Sequence, residues 1–341
     1  MDGGWMARHF GDDPWPPWAL ALARMQGAYA PNTILAYARC FERFERWCAG
    51  AGFSPLPAEA DAVAGFVSHL FPSCARNTVV QYLRSIRAVH RLAGEPDVSY
   101  SLPVQLAFRR GRREHGRPAQ QAYGLTAAMR DQLVATWAND LHGMRNRALL
   151  RLAYDGLLRR SELIRLEVED FEPLPDGTGK ILVRRAKNDP FGQRYAAYLS
   201  RETTAAVQAW LKAAKIERGP LLRAIWRGRP LPGHADPRLV NQVLALAVRR
   251  AKIPPDIARR LNAHSFRIGA AQDLAAAGRS LIEIMRAGRW RHLSTVAHYV
   301  QCAPVNVWAD QGEGTGGGVE EKRLWRSAEQ WNPREGPRTD G

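Results

Sequence analysis

Apolar side chains recur along this chain at steps of three and four residues, the spacing of helices that bury one face. After Asn32, a candidate N-cap, Ile34, Tyr37, Phe41, Phe44 and Cys48 fall on one stripe. Val63, Phe66, Val67 and Leu70 make a second stripe. Val79, Leu83, Ile86 and Val89 make a third, opened by Asn77. Val104 and Phe108 mark a fourth helix beginning near Ser101. Four such helices in succession predict an all-α domain over 26–112. A second domain opens at Leu125 and Thr126, with Met129, Leu133 and Trp137 on one helical face. Helices are expected over 143–156 and through SELIRLEVEDF. The period then changes to alternation. GKILVRRA and QRYAAYLS read as two strands joined by the turn formers of KNDPFG. Helical spacing returns from Glu202, with Val207, Trp210 and Leu211, then over 239–251 and 264–277, where Gly278 ends it. Ser280 caps a helix carrying Leu281, Ile284 and Met285. Ser294 and Thr295 open a last short helix that holds Tyr299 and closes at Pro304. The expected fold class is mainly α with a small antiparallel β-sheet (α+β), the second domain spanning 123–310.

The run RRGRREHGRPAQQ, 109–121, sets Arg109, Arg110, Arg112, Arg113 and Arg117 beside glycine and proline. It reads as a basic extended linker, with the domain junction at 113–122. Such a run is either a solvated spacer or a strip of charge laid along a phosphate backbone. Residues 1–25 read as a disordered leader without the charged-then-apolar order of a signal peptide. Over 311–341, GEGTGGG is a flexible linker, followed by a segment whose Leu324, Ala328 and Trp331 fit one side of a short helix. No apolar run reaches the ~18 residues a bilayer span needs, so no membrane partner is expected.

Charge narrows the partner. Lys and Arg number 49 against 33 acids, a net charge of +16. That excess points to a polyanion, with nucleic acid first and a basic ribosomal or membrane-surface protein as the plain competitor. Cys40, Cys48, Cys74 and Cys302 form no Cys-x-x-Cys pair, which fits a reduced, cytoplasmic setting.

Several polar residues look out of place for packing alone. LLRRSEL puts Arg159 at a helix start with Glu162 three residues on. HSFR puts His264 and Arg267 on one helix face, Trp290 and Tyr299 follow on the last two short segments, and Lys187 sits at the hairpin tip. Taken singly each is ordinary: a surface ion pair, an N-cap, a core indole. His264, His292 and His298 do not assemble a zinc set, because no carboxylate or Cys completes them, and no cofactor is expected.

The order and spacing of these residues resemble the tyrosine recombinase, or phage integrase, family, and its Cre-like branch in particular. The resemblance runs from about residue 28 to 302 and is strongest over 264–300, where the His-x-x-Arg box, Gly-x-Trp and the tyrosine fall in register. It makes Arg159 the first arginine and Arg267 the second. His264 becomes the box histidine, Trp290 the position that is His in many relatives, and Glu162 the acid of the first box. Lys187 matches the hairpin lysine, with Lys180 as its rival at the strand start. Gly269 stands where many members carry a second histidine, as in the Cre-like branch.

The resemblance implies an all-α core-binding domain and a recombinase catalytic domain. The implied reaction passes through a 3′-phosphotyrosyl intermediate and a Holliday junction, serving integration, excision or resolution. Its substrate would be double-stranded DNA bearing inverted repeats, bound by four protomers that exchange a C-terminal segment. That segment would be either the stretch around Val305–Trp308 or the helix after the glycine linker. The short leader leads to the expectation of a simple site without distant arm sites. The competing expectations are a type IB topoisomerase-like relaxation activity and a non-catalytic DNA-binding regulator. The chemistry fits the residues: two always-charged forked guanidiniums suit a phosphate gaining charge, and a histidine can take a phenol proton.

Overall fold

The computed structural model describes residues 15–116, 121–184 and 194–301. The chain separates into two compact units, divided between Gln121 and Ala122.

The first unit is all helical: α1 (Pro17–Ala23), α2 (Pro31–Ala51), α3 (Ala60–Leu70), α4 (Arg76–Ala93) and α5 (Leu102–His115), with a 3-10 turn at Val98–Tyr100. The predicted stripes are the buried ones. Ile34, Phe41, Phe44 and Cys48 of α2 meet Val63, Phe66, Val67 and Leu70 of α3 and Val79, Ile86 and Val89 of α4 in one core. The rings of Phe44 and Phe66 lie 5.1 Å apart. His90, fully buried, accepts from the Ala58 amide through Nε2 and faces the Ile86 carbonyl through Nδ1 at 2.8 Å.

Two stretches of this unit differ from the sequence expectation. Part of the leader is ordered, because Pro17 starts α1 and Trp18 and Leu22 join the core. The Trp18 indole donates to Glu45 at 2.9 Å, a partner too distant in sequence for local pattern to reveal. The basic run is also not an extended linker in its first part. Arg109, Arg110, Arg112 and Arg113 lie on α5 with exposed side chains. The buried stripe of Val104 and Ala107 continues to Gly111, which sits under the Phe71 ring where a Cβ would meet Cδ2 at 2.2 Å. Gly111 is therefore a contact residue, and apolar packing on the far side carries the helix through its arginines. Arg117 lies outside the described residues, as do 1–14 of the leader.

The second unit surrounds α7 (Leu141–Asp155), whose Leu149, Leu150, Leu152 and Ala153 are buried. Around it lie α6 (Ala127–Ala135), α8 (Arg160–Ile164), α9 (Arg201–Ala214), α10 (Arg238–Arg250), α11 (Pro255–Ala258), α12 (Ser265–Ala276), α13 (Leu281–Gly288) and α14 (Leu293–Val300). Local signals place several ends. Thr126, Asp140, Ser200 and Ser280 cap α6, α7, α9 and α13 through their side-chain oxygens.

The predicted hairpin is present as β2 (Gly179–Val183) and β3 (Tyr195–Leu199), antiparallel with Val183 opposite Tyr195. A third strand that the alternation did not announce, β1 (Phe171–Pro173), pairs with β2. A short second hairpin, β4 (Ile225–Trp226) and β5 (Arg229–Pro230), turns at Arg227 and Gly228, both with positive φ. Residues 185–193, with Lys187, lie outside the described residues. Lys180 points away from the core and pairs with Glu172 on β1 at 2.9 Å. Among the described residues no helix is long and apolar enough to cross a membrane.

Candidate active site

Four separate elements of the second unit bring together Arg159, Glu162, His264, Arg267, Trp290 and Tyr299. Arg159 is the residue before α8, extended at φ −72°, ψ 150°, so its side chain is free of the helix it starts. Its Nη1 donates to Glu162 Oε1 at 2.6 Å, and its backbone amide donates to Oε2 at 3.0 Å. Glu162 thus locks Arg159 at two points; its contacts run to arginines rather than to His264. Burial pushes the Glu162 carboxyl up, but Arg289 and Arg159 outweigh it and leave its pKa below the usual range.

Arg267 lies on the first turn of α12 and is 1% exposed. One terminal nitrogen donates to the Leu157 carbonyl, and Nη2 donates to Gly288 O at 2.6 Å. Its guanidinium stacks 4.7 Å from the centre of the Trp290 ring. Burial, with the charges of Arg159 and Arg289 next, lowers its pKa to about 9. A cation buried without a carboxylate directly on it is costly, and an anion beside it would relieve that cost.

Tyr299 sits on α14, half-buried, and its hydroxyl is 2.8 Å from His264 Nε2 at the start of α12. The two rings meet edge to face with centroids 5.4 Å apart. Trp290 completes the enclosure, 5.5 Å from Tyr299 by ring centroids. Gly288 makes room for that indole: a Cβ there would meet Trp290 Cζ3 at 1.9 Å. Gln272 Nε2 donates to the Tyr299 carbonyl at 3.1 Å and ties α14 to α12. Gly269 admits no side chain, since a Cβ would meet the Leu125 carbonyl oxygen at 1.9 Å.

The electrostatics set the protonation states. Desolvation, then Arg267 and Arg159, lowers the His264 pKa below 6.5, so its imidazole is neutral at pH 7 and able to accept a proton. Desolvation raises the Tyr299 pKa, against the pull of Arg267, Arg159 and Trp290. Burial here outweighs the acidifying pull of the arginines on the phenol. A cavity of about 290 Å³ opens among Arg159, Arg160, Asn241, Asn262, His264 and Arg267. Its walls offer cationic and amide donors with no carboxylate among them, a lining suited to an oxyanion such as phosphate. His292 and His298 are exposed, and among the described residues no His, Cys, Asp or Glu cluster could hold a metal.

Comparison with known proteins decides the family. The phage integrase family model matches residues 124–304. The recombinase Cre of Escherichia phage P1 is 30% identical over 298 residues, covering 82% of this chain and 87% of its own. The chain belongs to the phage integrase family. This tyrosine recombinase, an enzyme of DNA strand cleavage and rejoining, is also similar to a XerD homologue of Selenomonas ruminantium. That relative is 29% identical over 292 residues, covering 82% of this chain and 84% of its own. In fold it resembles the Tn1549 transposon integrase in complex with circular intermediate DNA, with TM-score 0.61, 15% identity, and coverage of 83% and 94% of the two chains.

Sequence reasoning missed Arg289. It stands between Gly288 and Trp290 in the Gly-x-Trp segment, and its side chain is 8% exposed. Its Nη2 donates to Glu162 Oε2 at 3.1 Å and to Leu157 O at 3.0 Å. The only sequence signal was an arginine at the variable position of Gly-x-Trp. Asn241 and Asn262 carried no signal either; each orders backbone beside His264, through the Ala263 amide at 3.1 Å and the His264 amide at 2.8 Å.

Proposed function

We propose that this recombinase breaks a DNA strand by attack of the Tyr299 oxygen on the scissile phosphorus, making a 3′-phosphotyrosyl link and freeing a 5′-hydroxyl. The observation that carries the proposal is the 2.8 Å hydrogen bond from phenol to imidazole beside the cavity that Arg159 and Arg267 line. His264 Nε2 takes the phenolic proton as the O–P bond forms. Arg159 and Arg267 fork onto the non-bridging oxygens, where negative charge grows. Trp290 lends its single N–H to the same region and backs the Arg267 guanidinium. Glu162 holds Arg159 in orientation. Lys187 gives a proton to the departing 5′-oxygen, a role that rests on the resemblance. In the reverse step a 5′-hydroxyl from the second duplex attacks the phosphotyrosine and passes its proton to Lys187, while the tyrosyl oxygen leaves and regains its proton from His264. The phosphodiester bond energy is kept in the tyrosyl ester throughout.

The substrate is double-stranded DNA with an inverted-repeat site, bound by four protomers that pass through a Holliday junction within the cytoplasm. The +16 charge and the likeness to an integrase complexed with DNA support the DNA partner. Arg109, Arg110, Arg112 and Arg113, exposed along α5, and Arg117 contact phosphates. The exchanged segment between protomers lies in 305–308 or 319–331, outside the described residues.

A nicked duplex that loses a short fragment after cleavage traps the intermediate. The wild type is expected to give a denaturant-resistant protein–DNA complex and Tyr299→Phe none, with DNA binding retained. Equal yields of complex from the two proteins would contradict the proposal.

A further inference from the structure

Among the described residues, five that are not glycine adopt positive φ: Leu157, Lys215, Arg227, Lys252 and Arg289. Two of these, Leu157 at 44° and Arg289 at 54°, face each other across the site, where the Leu157 carbonyl accepts from Arg289 Nη2. A left-handed residue that closes a helix, as Arg289 closes α13, is usually glycine, because a Cβ there is strained. Arg289 carries further costs. Its guanidinium is buried, its Nε has no hydrogen-bond partner, and burial lowers its pKa. Strain and desolvation of this kind persist in a fold where the surrounding structure over-determines them, and they gather at functional sites.

What the costs secure is a bridge. Glu162 Oε2 receives both the Arg159 amide and Arg289 Nη2, while Oε1 receives Arg159 Nη1. Arg289 is itself fixed from behind by the carbonyls of Leu157 and Gly156, and its guanidinium lies 5.2 Å from the centre of the Tyr195 ring at the start of β3. The carboxylate is thus clamped between two guanidiniums and cannot swing. Arg289 is also the foremost of the charges that keep Glu162 ionised in its buried place. The Leu157 carbonyl serves Arg267 as well, so one backbone group ties the frame to the second arginine of the cavity.

We propose that Arg289 is a positioning residue of the recombination reaction. It clamps Glu162 so that Arg159 stays aimed at the scissile phosphate, and it acts through that carboxylate rather than on the DNA. This rests on the proposed role of Arg159. A guanidinium loosened by about an ångström loses much of its grip on a transition state, on the order of 100-fold in rate.

The test is single-turnover cleavage of the nicked duplex by the full chain. The proteins compared are the wild type, Arg289→Gly, Arg289→Asn, Arg289→Lys, Glu162→Gln and the Arg289→Gly, Glu162→Gln double variant. Glycine and asparagine both tolerate positive φ, so either keeps the backbone if the other fails to fold. We expect Arg289→Gly and Arg289→Asn to slow cleavage by ~10- to 100-fold. DNA affinity should change less than about twofold, and relief of the backbone strain should offset part of the stability lost with the buried ion pair. Arg289→Lys should recover part of the rate, since an ammonium can pair with the carboxylate but cannot fork. The double variant should be no slower than the slower single one, because both changes break the same clamp. Wild-type rates in Arg289→Gly and Arg289→Asn, or losses that multiply in the double variant, would overturn this inference alone. If the wild type forms no tyrosyl complex, the reading of the site falls first and this inference with it.

Discussion

The proton that leaves Tyr299 has one acceptor within hydrogen-bond reach among the described residues, and its readiness is set by position. Burial strips His264 of water, and two guanidiniums share its surroundings, so protonating it is costly on both counts and its pKa is lowered. Activity that needs the neutral imidazole should therefore hold as pH falls from neutrality to 6.5 and decline only below that value. The rate of tyrosyl-complex formation against pH checks this, with His264→Gln as the variant that should lose the acid limb. A decline centred above pH 6.5 would mean that burial and the guanidiniums do not govern the base. At this scale the sequence was informative wherever a side chain's chemistry is unusual for its place. Arg159, Glu162, His264, Arg267, Trp290 and Tyr299 were all picked out, and the structure brings them together. Arg289 was not, because its meaning lies in a left-handed backbone and a contact with a carboxylate far away in sequence.

At the scale of elements, amphipathic spacing located the helices well, and errors arose where one residue type serves two purposes. Glycine inside a basic run looks like a helix breaker, yet Gly111 is where α5 lies against Phe71. Gly111→Leu should therefore destabilise the first unit by about 1–3 kcal/mol through overpacking, although leucine is the better helix former. Thermal unfolding checks this, and an unchanged or raised melting temperature would return the segment to the status of a linker. Proline and tryptophan near the N-terminus misled in the same way. Pro17 is well placed at the start of α1, and the Trp18 ring lies 5.4 Å from Phe41, a long-range contact that no local window contains. The strand β1 escaped notice because a three-residue strand has too short an alternation to register.

For the whole molecule, charge gave the class of partner and the motifs gave the chemistry, two independent lines. An excess of +16 predicts binding dominated by phosphate contacts. For a footprint of roughly 6–10 such contacts, affinity should fall about 10³- to 10⁵-fold between roughly 50 and 200 mM salt. Titration of labelled duplex at several salt concentrations measures the slope, and a flat response would argue against an extended phosphate footprint. The identity of the target site was not legible, because base readout depends on which side chains enter a groove.

The most direct measurement is to recover the protein–DNA adduct from a nicked substrate, digest it with protease, and sequence the peptide that carries the nucleotide. The 3′-phosphate is expected on the oxygen of Tyr299 and on no other residue. Attachment elsewhere, or strand breakage with no covalent peptide at all, would contradict it.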